Sequence, residues 1–299
     1  MSRNNKIEPL KKKKAGEACK SKFASFFSNF SSWLIVGTFC FSAIIALIWA
    51  LTVSLRTRQD FFSRGAWAIP NPPEINNYIA AWGQMRVGQY FLNSVLYSVV
   101  GTLGAIFLAA AISYVLARVK FKLGRVIYIF FLFLMMWPGW VSMAPSYMWM
   151  RKLGLIDTYW VLFLGYWLGG LPFNCFLLIS FFETLPVELE EAALMDGANA
   201  WQIFLKVMFP LARPAIVTIG IFTFINIWND FFSPLLYMRS QGKYPLSLGL
   251  QLLSVSATYG ADHPKLFAGM IIFVVPILVI YFLLKDRITE GLTIGAIKG

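Results

Sequence analysis

The sequence is short of the residues from which most enzymes build a site. It contains one histidine, His263, and three cysteines, Cys19, Cys40 and Cys175. One histidine cannot assemble a His-based zinc or catalytic set from this chain alone. An odd number of cysteines without paired spacing gives no disulfide framework and no metal set. His263 lies in a polar stretch and reads as a solvated loop residue. No G-x-x-x-x-G-K-[ST] phosphate loop occurs, because Gly242-Lys243 is followed by Tyr244. No H-E-x-x-H pattern, nucleophile elbow or intramembrane carboxylate pair is present either. The chain is therefore not expected to be an enzyme, to hold a cofactor or to hydrolyse ATP through a phosphate loop. Charge is scarce too: 13% of residues are Asp, Glu, Lys or Arg, against about a quarter in soluble domains.

What is abundant is apolar sequence. Of 299 residues, 58% are hydrophobic, with a mean hydropathy of +0.65. This composition points to an all-α integral membrane protein in contact with lipid. The net charge of +12 does not argue for nucleic acid, because the basic residues cluster at the ends of apolar runs, where orientation in a membrane explains them. A hydrocarbon core about 30 Å thick needs about 20 apolar residues of helix. Six stretches qualify as transmembrane helices: 32–55, 90–117, 125–149, 157–182, 213–238 and 265–285. Pro138, Pro145, Pro172, Pro234 and Pro276 mark expected kinks. Residues 1–31 form a lysine-rich cytoplasmic arm. The run after it is longer than a signal-peptide core and has no clear cleavage site, so it reads as an uncleaved first span. Arg118, Lys120, Lys122 and Arg125 crowd one short link, which with the arm places both on the inside. Six spans then make both termini cytoplasmic. Three segments face out: 56–89, with a short interfacial helix expected over 75–82; a brief link near Arg151; and a polar loop, 239–264.

The long polar interval 183–214 is built like a docking surface. Pro186 suits a first helical turn, and Glu188, Glu190 and Glu191 follow where the backbone dipole favours negative charge. Leu189, Ala192 and Ala193 share one narrow face. Gly197 can take the left-handed conformation that ends a helix. Asn199 and Gln202 have the spacing of a capping box that starts a second helix. There Trp201, Phe204, Leu205 and Met208 repeat as a bulky apolar face, and Pro210 is expected to stop the helix. The set Glu191-Ala192-Ala193, then Asp196-Gly197-Ala198, then Pro210 with twelve residues between it and Gly197 closely resembles the EAA loop of ABC importer permeases. Phe209 stands where the family's usual Leu precedes the proline. The resemblance covers about residues 30–299 and implies a type I ABC importer permease fold, with 90–290 as a permease core of five transmembrane helices and 183–214 as the cytoplasmic loop seated in a separate ATPase subunit.

Three further stretches carry candidate roles. Asn226, Asn229 and Asp230 fall at i, i+3 and i+4 in the fifth span. An ionisable group at that depth faces a watery or protein interior, so this face reads either as a translocation path or as a polar helix contact or cap before Pro234. In 239–264, the resemblance implies a contact to a binding protein, with Gln251 and Tyr259 as candidates; an interfacial linker fits equally. The end of the chain, 291–299, is similar to the tail of maltose-type permeases. That likeness implies insertion between two ATPase subunits by Thr293, Gly295 and Lys298; a frayed end is the plain alternative. Gly165 and Gly169 form a weak GxxxG pair, and Trp137, Trp140, Trp149, Trp160 and Trp167 read as interface anchors. The resemblance implies a carbohydrate importer of a bacterial cytoplasmic (inner) membrane, working by alternating access. Its partners would be a second, nonidentical permease, an ATPase homodimer holding ATP and Mg, and an extracytoplasmic solute-binding protein. An ABC permease for a non-sugar solute is the alternative.

Overall fold

The computed structural model describes residues 33–65 and 67–296, with side chains described as far as Val279 and for Phe282. The arm 1–31 and Lys298 lie outside the described residues. Among the described residues there are helices and connections and no strand. The first helix, α1 (Trp33–Ser54), is apolar and mostly uncovered by the rest of the chain. Short helices α2 (Arg58–Ser63) and α3 (Asn76–Gln84) follow, the second close to the expected 75–82. The wholly buried Arg56 organises this segment. Its guanidinium donates to the Asp60 carboxylate at 2.8 Å and to the Asp60, Arg64 and Gly65 carbonyls. Asn77 ties α3 back to the carbonyls of Ser54 and Arg56.

The hub is α4 (Val87–Arg118), which packs on α7 (Tyr159–Gly169), α8 (Leu171–Phe182) and α12 (Arg213–Asn229). It can approach three helices because its buried face is small: Gly101, Ala105, Ala109, Ala110 and Ser113. A side-chain carbon at Gly104 would lie 2.1 Å from Trp167 Nε1, and that indole donates to the Val100 carbonyl at 3.1 Å. Trp167 is thus a packing residue and not an interface anchor. Gly220 of α12 admits Ile106 in the same way. Gly165 and Gly169 meet no atom within 4 Å, so that pair makes no helix contact within the described chain.

Several expected straight spans are broken. The stretch 125–149 is α5 (Gly124–Met136) and α6 (Gly139–Lys152), bent by 104°. Pro138 occupies the break, where it disfavours helix in the residue before it. The stretch 157–182 is α7 and α8, bent by 43° with Pro172 in the first turn of α8. The stretch 213–238 ends as helix at Asn229; a separate short helix, α13 (Phe232–Tyr237), holds Pro234. Pro145 and Pro276 sit inside helices that continue through them. The segment 239–264 is not a loop throughout, since α14 (Leu246–Gly260) occupies most of it and packs on α4 and α15 (His263–Ala296). His263 begins α15 with its ring 5.3 Å and 6.0 Å from those of Phe61 and Phe62, so it is a packed residue. Among the described residues, two helices are long and apolar enough to cross a membrane, or up to five if each bent pair is one span.

Candidate coupling surface and translocation cleft

The interval 183–214 forms the helix–Gly–helix unit that its local signals call for. In α9 (Glu188–Met195) the three glutamates stand in the first turn. Gly197 has φ +83. Its N–H donates to the Leu194 carbonyl and that of Ala198 to the Ala193 carbonyl, which satisfies the carbonyls a helix end leaves open. The next helix, α10 (Ala200–Ile203), begins with the full capping box: Gln202 N–H donates to Asn199 Oδ1, and Asn199 N–H to Gln202 Oε1, both at 2.9 Å. A π-helical turn over Phe204–Met208 follows. Its wider winding shifts the register, so Ile203, Phe204 and Met208 are buried while Leu205 is exposed. The continuous apolar face expected from Trp201 to Met208 is split accordingly. Pro210 does not stop the helix; it lies in α11 (Phe209–Leu211), and the chain turns by 77° after Leu211.

The exposed side of the unit carries bulky apolar side chains among its charged ones. Met195 is 88% exposed and Trp201 56%, and Val187 and Leu194 are exposed as well. Glu191, Ala192 and Asp196 are exposed and Ala193 half-buried. Trp201 leans on Phe204 and Phe107, with ring centroids at 5.4 and 6.2 Å. Beneath the unit lies a contact the sequence reading missed. Arg118, at the end of α4, pairs with Glu190 at 3.0 Å, and its Nη2 donates to the Leu185 carbonyl at 2.5 Å. Arg118 was informative in sequence only as a positive charge beside a span; nothing local joins it to Glu190.

A cleft of about 1000 Å³ opens between α6, α7, α8, α12 and α13. Asn226 and Asp230 line it; Asn229 does not, and its amide donates to the Ile225 carbonyl at 2.8 Å. The three residues do not share one helical face, because the helix ends before Asp230. That carboxylate instead accepts from the N–H groups of Phe232 and Ser233 at 2.9 and 3.0 Å, capping α13. Tyr166 lines the cleft as well. Asn174, Thr223, Trp140 and Phe173 complete a wall of amides, hydroxyls and aromatic faces.

At the Asn93 end of α4, opposite Arg118, Asp157 gathers the turn before α14. Its carboxylate accepts from the Arg239 and Ser240 N–H groups at 3.1 and 3.0 Å and from the Ser240 hydroxyl at 2.5 Å, and pairs with Lys243 at 3.3 Å. Burial by itself would raise the Asp157 carboxyl; the Ser240, Arg239 and Lys243 hydrogen bonds outweigh it and hold the group well below the usual carboxylate range. Gln251 is half-buried on α14, and Tyr259, near its end, is 88% exposed. Thr293 and Gly295 fall on the backbone of α15.

Bent apolar helices around a largely apolar cleft that carries a few polar side chains, with an exposed two-helix unit on one side, define a permease-type membrane subunit. The chain belongs to the family of binding-protein-dependent transport system inner membrane components, which matches residues 101–293. It is 34% identical over 255 residues to the diacetylchitobiose uptake system permease protein of Streptomyces coelicolor, covering 85% of this chain and 84% of that one. It is 30% identical to the trehalose transport system permease protein of Mycobacterium tuberculosis, covering 89% and 97%. The fold matches a bacterial ABC transporter involved in alginate import with a TM-score of 0.74 at 24% identity, over 86% of this chain and 95% of that one. The chain is accordingly a permease subunit of a bacterial inner-membrane ABC importer, a transport component and not an enzyme.

Proposed function

We propose that this chain forms half of the pathway by which an ATP-driven importer moves a sugar or oligosaccharide across the membrane. The observation that carries the reading is the set of bulky apolar side chains on the 183–214 unit, where Val187, Leu194, Met195 and Trp201 stand exposed in an otherwise polar stretch. Such a patch marks an interaction site, and separate ATPase subunits holding ATP and Mg are the occupants, with Glu191, Ala192, Ala193, Asp196, Gly197, Trp201, Phe204 and Pro210 forming or bracing the contact. The sugar assignment is supported by the names of relatives, which include permeases for diacetylchitobiose and trehalose. It is also supported by the cleft, whose amides, hydroxyls and aromatic faces suit a polyhydroxylated solute.

In this reading α1, α4, the bent pairs α5–α6 and α7–α8, α12 and α15 are the six spans, with both termini inside. A second, nonidentical permease closes the open side of the cleft. A solute-binding protein docks outside near Gln251 and Tyr259. Thr293, Gly295 and Lys298 reach the ATPase interface. Alternating access follows from a shift between two states, limited by the partner's differential binding to each. Glu191→Lys tests the reading in the assembled importer. Membrane insertion should be intact while uptake of a labelled oligosaccharide is uncoupled from ATP hydrolysis. Normal coupled uptake would remove the docking role, and uptake only of non-sugar nutrients would remove the substrate class.

A further inference from the structure

We propose that Arg118 is a positioning residue that grips the coupling unit and makes α4 the rod through which that unit moves the cleft and the outer turn. The proposal rests on the importer reading above. Arg118 ends α4, where the helix dipole favours a cation, and its side chain is only 9% exposed, with Glu190 at 15%. Through Glu190 it holds α9, and through the Leu185 carbonyl it holds the connection before α9. One turn earlier, Tyr114 packs on Phe204 and Phe182 at 5.4 and 6.0 Å, which secures the π turn after α10. The last turns of α4 therefore touch both arms of the unit.

From there α4 runs behind the cleft. Gly101 faces Ile227 and Tyr166, Gly104 faces Trp167, and Ile106 enters the space left by Gly220. Such close contacts transmit displacement, because protein interiors are nearly incompressible. Tyr166 and Ile227 themselves line the cleft. At the far end, the Asn93 amide donates to the Gly242 and Tyr244 carbonyls at 2.9 and 3.0 Å, and the Tyr97 hydroxyl to the Lys243 carbonyl at 2.9 Å. A helix of 32 residues spans about 48 Å. One element thus holds the inner unit, backs the cleft wall and anchors the outer turn.

The test uses the full importer reconstituted in liposomes with its binding protein. Arg118→Glu and Glu190→Arg are made singly and together. Each single reversal should cut uptake per ATP hydrolysed by about tenfold or more while the ATPase still co-purifies, and the double reversal should recover only part of it, because a carboxylate at 118 restores the ion pair but not the bond to the Leu185 carbonyl. Arg118→Lys keeps the charge but loses the two-point fork and should fall between. Full coupling in the single reversals overturns the proposal, as does a double reversal no better than the singles or loss of the ATPase from the complex. Should the reversals not fold, Arg118→Gln serves, read by amide exchange. Faster exchange is expected both over 188–203 and over 241–244; a change confined to the inner segment refutes the rod. The exchange arm needs no sugar. Absence of uptake in the parent therefore counts against the proposed function, while linked exchange still supports the rod.

Discussion

The two ends of α4 hold opposite kinds of surface. At the Arg118 end, the unit around Gly197 satisfies its backbone through caps yet leaves Met195, Leu194 and Trp201 uncovered. At the Asn93 end, the turn around Gly242 is wrapped in polar contacts. Asp157 takes three hydrogen bonds there, and Asn93 and Tyr97 donate to its carbonyls. Exposed bulky apolar groups gain free energy only when something covers them. A satisfied polar turn gains nothing further from a partner. In the proposed importer the Arg118 end is thus the surface left for a partner to cover, and the Asn93 end a latch that closes on its own chain.

That contrast breaks first at Trp201. Interface aromatics that fill a partner's pocket cost about 2 kcal/mol or more when truncated, roughly a 30-fold loss of affinity. Trp201→Ala should weaken ATPase retention on the purified complex by that order. Thermal unfolding of the permease should move little, since the ring is already half in solvent. Equal loss of chain stability and ATPase retention would make Trp201 a core residue and erase the distinction between the two ends.

Gly197 sharpens the same comparison from the backbone side. Its φ of +83 is a left-handed conformation that costs an L-residue about 1–2 kcal/mol, and a β-branched side chain is the least tolerant there. No atom crowds the site, so Gly197→Val acts by conformation alone. The angle between α9 and α10 should relax, with ATPase-coupled uptake lost and insertion kept. Spin labels at Leu194 and Leu205 would report the opening; an unchanged distance with normal uptake would mean that the turn's geometry is not what the partner reads.

What was legible in the sequence follows the range of the forces involved. The Gly197 turn, the Asn199 capping box and the break at Pro138 are settled within about four residues, because a helix end must satisfy its own N–H and C=O groups locally. Contacts between distant segments carry no such signal. Arg118 and Glu190 each have a complete local explanation, as a charge beside a span and as a first-turn acid, and nothing in either stretch announces their pairing. Asp230 was legible in part: a cap before Pro234 was one of its readings, and the structure has that cap, but the shared face with Asn226 and Asn229 was not there. An i, i+4 spacing presumes that the helix continues, and here Asp230 is the residue that ends one helix and caps the next. The π turn at Phe204–Met208 lacks a local mark as well, so the apolar repeat from Trp201 was read at ordinary helical winding. The helix α14 was hidden by the Gly, Ser and Tyr of 239–264, which read as loop until packing on α4 and α15 is known.

The smallest expected effect lies at the outer latch and depends on pH. Asp157 has a left-handed backbone, φ 61, which Asn tolerates better than most residues, so Asp157→Asn removes the charge while leaving the turn possible. The lost charge-assisted contacts should cost about 1 kcal/mol. The native carboxyl is held below its usual range, so its contribution is complete above the unfolded value of about 3.9. It is lost as pH falls from there toward the lower folded value. Amide protection over 239–244 should therefore be level from pH 7 to about 5 and decline below about 4. In Asp157→Asn it should start lower and show no such decline, while ATPase retention at neutral pH stays at the parent level. If the variant kept the acid decline, another carboxylate would hold the latch. If it shed the ATPase, the outer turn would not be the self-contained end of the molecule.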